Sequence, residues 1–255
     1  MIGRDLVTTY GIDVAQVIGV AYTYSPSLMM RRYLTRNLSA YHSAKQKQFS
    51  YFFKGDRFSV LGSDEPLMLR TDPVNGDLAQ HWPEAELAVL LGDNHEIIAY
   101  TLANDLTAIE IEARGRTEFE DNTYNGKVWP GSGSVGPRFV PASMIEHPDQ
   151  LTIGLSITRR GRLIFDQHYS TDRRSCSFES IPAAIVNCYR QFEEHVPPSK
   201  QIYVSSSGFL PAGTVIMLGT GLIVRKQYYC EPGDILTVYC PPIGQLNNTV
   251  ISSPA

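Results

Sequence analysis

Pro83-Glu84-Ala85-Glu86-Leu87-Ala88-Val89-Leu90-Leu91, answered by Tyr100-Thr101-Leu102-Ala103-Asn104-Asp105, is the stretch on which the fold turns. Leu87 to Leu91 and Ile97 to Leu102 are apolar runs of strand length separated by Gly92-Asp93-Asn94-His95, which predicts an antiparallel hairpin. Side chains alternate along a strand, so Glu84 and Glu86 share one face. Two acids crowded into an apolar segment are costly without a counter-charge, and a divalent cation is the natural one.

With Asp93-Asn94 as a two-residue turn, built of residues that tolerate positive φ, Gly92 faces His95, Glu84 faces Ala103 and Glu86 faces Thr101. Asp105 then falls on the face of both glutamates, at the open end of the hairpin. A slip of one residue would send it to the other face. The competing reading is three solvated acids at a frayed hairpin end, and the apolar character of both faces argues against it.

An oxygen-only set of three carboxylates favours a hard cation, Mg2+ first and Mn2+ or Ca2+ after it. Positions left open on such an ion suit a 2-oxo acid, whose carboxylate and keto oxygens bind as a pair. That polarises the carbonyl and eases loss of the C3 proton to an enolate. A hydroxyl at C4 then leads to dehydration, a second carbonyl to C–C hydrolysis, and a free β-carboxylate to decarboxylation.

Composition excludes several other functions. The 255 residues are 43% apolar and 19% charged, enough for one large core or two modest ones. A net charge of -4, with no basic run longer than Arg31-Arg32 or Arg173-Arg174, argues against nucleic acid as a partner. No segment is long and apolar enough to span a bilayer and no leader pattern opens the chain, so the expected location is cytoplasmic. Cys176, Cys188, Cys230 and Cys240 lack close-pair spacing and read as free thiols.

The chain divides into a small N-terminal segment, 1–50, and a catalytic domain, 51–255. Val14 to Tyr22 reads as a strand, as do Ile153 to Thr158, Leu163 to Phe165, Thr214 to Leu218 and Ile235 to Tyr239. Met144 to Glu146 and Ser180 to Glu194 read as helices, the second with Pro182 in its first turn. Glu112 to Gly126 and Ser170 to Ser177, rich in polar residues, read as exposed loops. The fold class is therefore mixed and β-rich, with few helices.

Gly131-Ser132-Gly133-Ser134-Val135-Gly136 has dinucleotide-binding spacing, but Pro137-Arg138-Phe139-Val140-Pro141 follows it where that motif needs a helix. Close backbone approach explains the glycines better. The six histidines show no helical metal-ligand pair.

Seven segments in order resemble the fumarylacetoacetate hydrolase superfamily over roughly residues 51 to 250. They are Phe52-Phe53-Lys54-Gly55, Glu84-Ala85-Glu86-Leu87-Ala88, Asn104-Asp105-Leu106-Thr107-Ala108, Gly126-Lys127, Gly136-Pro137, Leu218-Gly219-Thr220-Gly221, and Pro232-Gly233-Asp234-Ile235 with Ile243-Gly244-Gln245-Leu246-Asn247. The Phe-Phe-Lys start and the spacing look most like the branch of 2-keto-3-deoxy sugar-acid dehydratases.

The resemblance implies a β-roll of mixed sheets, Mg2+ on Glu84, Glu86 and Asp105, and a homodimer. It implies Lys127 as the active-site lysine, and Thr220, with Gly219 beside it and Lys54 from the Phe-Phe-Lys segment, as substrate contacts. Glu112 is the first candidate general base and His42 the second. The expected activity is that of a lyase dehydrating a 2-keto-3-deoxy sugar acid; an acylpyruvase-type hydrolase or an oxaloacetate-type decarboxylase is the alternative. Two positions depart from the family. Ile109 stands where much of the superfamily has an arginine, and Ser50 stands where the dehydratase-like branch has an acid, which leaves a third reading of a binding protein on the same fold.

Overall fold

The computed structural model describes residues 10–21, 23–24, 50–113, 122–191, 196 and 200–252. Thirteen strands among these form two sheets and a short ribbon. Strand β5 (Ala85–Leu91) is buried along its whole length, as its unbroken apolar run demands. It pairs antiparallel with β6 (Ile97–Asp105), and β6 with β8 (Gly133–Pro141). On its other side β5 pairs antiparallel with β11 (Thr214–Met217), which lies parallel to β1 (Gln16–Ala21). Strand β2 (Ser50–Gly55) closes that edge, giving the order β2-β1-β11-β5-β6-β8.

β1 therefore lies inside the sheet that carries β5, on the far side of the residue-50 boundary drawn from composition. Its parallel partner is almost two hundred positions away, and nothing local announces such a pairing.

The second sheet has the order β10-β9-β12-β13-β3. It is built from β9 (Thr152–Arg159), β10 (Arg162–Ser170), β12 (Ile235–Cys240), β13 (Gly244–Ser252) and β3 (Leu67–Leu69). Alternation sorts the first sheet's apolar residues onto two faces. Leu87, Val89, Leu91, Tyr100 and Leu102 join a large core with the second sheet, including Leu155, Ile157, Leu236 and Val238. Ala88, Leu90, Ala99, Ala103 and Val135 face the other way, into a smaller cluster with Val17, Val60 and Met217. Both faces are covered, which explains why neither is polar.

Helices are few. α1 (Ile109–Ala113) and α2 (Asn122–Lys127) are short, and α3 (Ser180–Tyr189) buries Ile181, Pro182, Ile185 and Val186. The helix expected at Met144 to Glu146 is instead a single 3-10 turn over Ala142–Met144. Glu112 is also corrected: it lies buried on α1, not on an exposed loop. Its backbone packs so tightly on α2 that a Cβ at Gly126 would fall within 2.6–2.9 Å of the Cβ, Cα and N of Glu112. The glycine is required by that approach. Cys176, Cys188, Cys230 and Cys240 are free thiols. Among the described residues no helix is long and apolar enough to cross a membrane.

Candidate metal centre

The hairpin register differs from the expected one by two residues. Three residues, Asp93–His95, form the turn, with Asn94 and His95 at positive φ; the Gly92 amide donates to the Glu96 carbonyl and the Glu96 amide to the Asp93 carbonyl. A bulge between Leu90 and Leu91 shifts the ladder once more, so Glu86 faces Ala103 and Ala85 faces Asn104. Two single-residue shifts add to an even number, and every side chain keeps its face. The Asp105 amide donates to the Glu84 carbonyl at 3.0 Å, which sets these residues opposite each other where the hairpin opens.

Glu84, Glu86 and Asp105 converge: each offers an oxygen, all within 4.8 Å of one another. Glu86 and Asp105 are buried and Glu84 is partly exposed. Two lysines from other elements enter the group. Lys127, the last residue of α2, donates to Glu84 Oε1 at 2.9 Å and to Asp105 Oδ2 at 2.7 Å. Lys54, from β2, donates to Asp105 Oδ1 at 2.6 Å and to the Lys127 carbonyl at 2.5 Å. Gly133 makes room for it, since a Cβ there would lie 2.6 Å from Lys54 Cε. The glycine run that imitates a nucleotide loop thus serves close approach by a lysine.

The charges are unevenly shared. Burial works against the charge on Lys127, but Asp105, Glu84 and Glu112 together outweigh it and hold the ammonium well above its ordinary pKa. Burial dominates at Lys54 and lowers its pKa despite Asp105. Burial alone would raise Asp105, yet Lys127 and Lys54 bring it below the usual carboxylate range. Glu86 is raised well above that range by burial first, then by Asp105 and Glu84; Lys127 and the Gly219 amide offset only part of this. One carboxylate of the trio is thus left without sufficient positive charge. A hard divalent cation, which takes oxygen ligands, fits this donor set, and the trio can bind a metal.

Gly219, one of the expected substrate contacts, lies against the trio. Its amide donates to Glu86 Oε2 at 2.7 Å, holding a carboxylate of the trio in place. Its φ of +81° and the 2.2 Å gap a Cβ would leave to Thr23 Oγ1 require glycine. Thr220 is buried next to it, and its hydroxyl accepts from the Leu222 amide. Lys54 packs beneath Asp105, at an inner position. Glu112 stands beside Lys127, close enough to favour its charge. His42 lies outside the described residues. Ile109 is buried in the large core, and Ser50 accepts from Lys200 Nζ at 3.0 Å.

Sequence reasoning missed Thr107, whose hydroxyl donates to Glu84 Oε1 at 3.0 Å. The signal was its place two residues beyond Asp105. It also missed Ser132, which donates to the Lys127 carbonyl at 3.0 Å and has no local signal.

A β-rich fold of mixed sheets with a carboxylate trio able to hold a metal defines the class of protein. The particular family follows from comparison: the chain belongs to the fumarylacetoacetate (FAA) hydrolase family, whose C-terminal domain model matches residues 17–251. It is 26% identical over 254 residues to a 2-dehydro-3-deoxy-D-arabinonate dehydratase of Saccharolobus solfataricus, covering 95% of this chain and 74% of the relative. It is 29% identical over 179 residues to a probable 2-keto-3-deoxyxylonate dehydratase of Haloferax volcanii, covering 69% of this chain and 53% of the relative. Among solved structures it resembles a 2-keto-3-deoxy-D-arabinonate dehydratase complexed with magnesium and 2,5-dioxopentanoate. The TM-score is 0.73 at 24% identity, covering 96% of this chain and 75% of that one, which establishes the shared fold. Dehydratases among its relatives support an enzymatic function for this chain.

Proposed function

We propose that this chain is a Mg2+-dependent lyase that dehydrates a 2-keto-3-deoxy sugar acid. The observation that carries the proposal is the convergence of Glu84, Glu86 and Asp105, with Lys127 bridging Glu84 and Asp105 and the buried Glu86 left short of positive charge. The magnesium complex of a similar dehydratase supports the choice of ion.

A substrate with one carboxylate suits the site better than two, because a dicarboxylate such as oxaloacetate would bring a second charge where Ile109 supplies no guanidinium.

When bound, the ion supplies the positive charge that draws electrons from the 2-oxo group. Lys127 holds Glu84 and Asp105 together, and its ammonium, kept charged by those carboxylates, stabilises the oxygen charge that develops on the substrate. Glu112, buried beside Lys127, takes the C3 proton and passes it to the departing C4 hydroxyl, which leaves as water. Thr220 holds the substrate carboxylate, placed by the same turn whose Gly219 amide fixes Glu86. Lys54 keeps Asp105 ionised and oriented. A homodimer, implied by the family resemblance, belongs to the same proposal and is read from mass in solution.

The test is turnover of 2-keto-3-deoxy pentonates, followed by mass for loss of one water. The expected result is activity that chelator abolishes and Mg2+ restores, and that falls about a thousandfold, roughly 4 kcal/mol of barrier, in Glu86→Ala. Cleavage of acylpyruvates or oxaloacetate without dehydration would overturn this reading in favour of a hydrolase or decarboxylase.

A further inference from the structure

Beyond Leu218, whose amide donates to the Leu87 carbonyl at 2.9 Å, strand β5 loses a backbone neighbour just as it reaches the two glutamates. Carbonyls left there must find another donor, because buried backbone groups are almost always paired. The donor is Tyr169, from β10 in the second sheet. Its single hydroxyl proton is donated to the carbonyl of Ala85, the residue between Glu84 and Glu86, at 3.1 Å and is shared, as the longer arm of a bifurcated bond, with the carbonyl of Gly219 at 3.4 Å. Gly219 is the residue whose amide holds Glu86.

We propose that Tyr169 is a positioning residue for the metal centre, a hydroxyl bridge that sets the spacing between the strand carrying Glu84 and Glu86 and the turn carrying Gly219 and Thr220. Two further features are built around it. A Cβ on Gly221 would fall 2.5 Å from Tyr169 Cδ2, so the turn must carry glycine there for the ring to fit. Tyr24 meets the ring edge to face, with centroids 5.1 Å apart, and fixes its tilt from the other side. A large ring held by packing, with its one polar atom placed between two segments of the site, acts on geometry and not on chemistry. Residues that support ligands in this way typically change metal affinity by about 10–100-fold when altered.

This inference rests on the metal-dependent reading above, and its test separates the two. Mg2+ is titrated calorimetrically, with oxalate as the 2-oxo acid mimic, into the wild type, Tyr169→Phe, Gly221→Ala and Tyr239→Phe. Tyr239 is the control, since its hydroxyl bonds Asp166 in the same sheet, away from the trio. Amide hydrogen exchange of the segments 84–87 and 218–222 is measured in parallel on the metal-free proteins. The expected result is a Mg2+ affinity lowered about tenfold in Tyr169→Phe and in Gly221→Ala, with exchange faster in segments 84–87 and 218–222 than in the control. Wild-type affinity and exchange in Tyr169→Phe, or an equal loss in Tyr239→Phe, overturns the bridge. A wild type that binds no Mg2+ overturns the proposed function instead, and exchange in the two segments then decides whether Tyr169 holds them together.

Discussion

Two clusters of buried charge in this fold are built to opposite plans. At the start of β12, Arg159 clasps Asp234 through Nε and an Nη nitrogen, both at 2.9 Å, and also reaches Glu231 and the Tyr229 carbonyl. Asp234 additionally accepts from the Glu231 amide at 2.8 Å. A planar fork meets a planar carboxylate, and the buried charge is fully matched. At the hairpin's open end, by contrast, three carboxylates meet two lysines, and Glu86 has only part of the positive charge it needs. A closed cluster holds elements together; an open one is poised for a ligand that brings charge. Counting partners for each carboxylate separates the two more sharply than counting ion pairs does.

A third buried ionisable group, His81, sharpens this contrast because the fold keeps it neutral. Its Nδ1 lies 2.7 Å from the Ala79 carbonyl, and Nε2 accepts from the Arg70 amide at 3.1 Å. Burial, with help from Arg70 and against the Ala79 carbonyl, pushes its pKa down from 6.5 to about 4. The unfolded chain takes up a proton near 6.5 while the folded one resists. Stability is therefore full above that pH and lost as pH falls from 6.5 towards 4, by about 3 kcal/mol in all. Urea denaturation of the wild type and His81→Gln across this window measures it, and parallel curves would contradict the assignment.

Breaking the closed cluster comes next in size. Asp234→Ala is expected to cost about 2 kcal/mol, less than a wholly buried pair would because Arg159 can turn to solvent, and to leave Mg2+ affinity unchanged. Denaturation and calorimetry on the same variant read both quantities; a loss of metal binding would remove the distinction between the clusters. The smallest effect has the opposite sign. Glu86→Gln removes a charge that the metal-free protein holds at a cost, while a Gln oxygen can still accept from the Gly219 amide. It should raise metal-free stability by about 1 kcal/mol and abolish the further stabilisation that Mg2+ gives the wild type. Thermal melts with and without Mg2+ check it.

The carboxylate trio was legible because facing depends only on parity. The turn takes one residue more than the two expected and the Leu90/Leu91 bulge adds another shift, yet Glu84, Glu86 and Asp105 stay on one side. Register itself was not legible, since neither Asn94 nor His95 announces a three-residue turn and the bulge has no sequence mark. The composition of Glu112 to Gly126 suggested solvent, whereas Glu112 is buried by its contact with Gly126, a tertiary effect. The place of Lys54 under Asp105, some fifty positions along the chain, was not legible either. The place of β1 beside β11 and the reach of Tyr169 from the second sheet depend on pairings between distant segments, which no local pattern encodes.

The most direct test of the central claim is a crystal of the protein soaked with Mn2+ as an anomalous scatterer standing in for Mg2+. The account predicts one strong peak in coordination contact with an oxygen each of Glu84, Glu86 and Asp105, with Lys127 still against the trio. A protein that turns over its substrate while this site gives no peak, or while the ion sits on other residues, would contradict it.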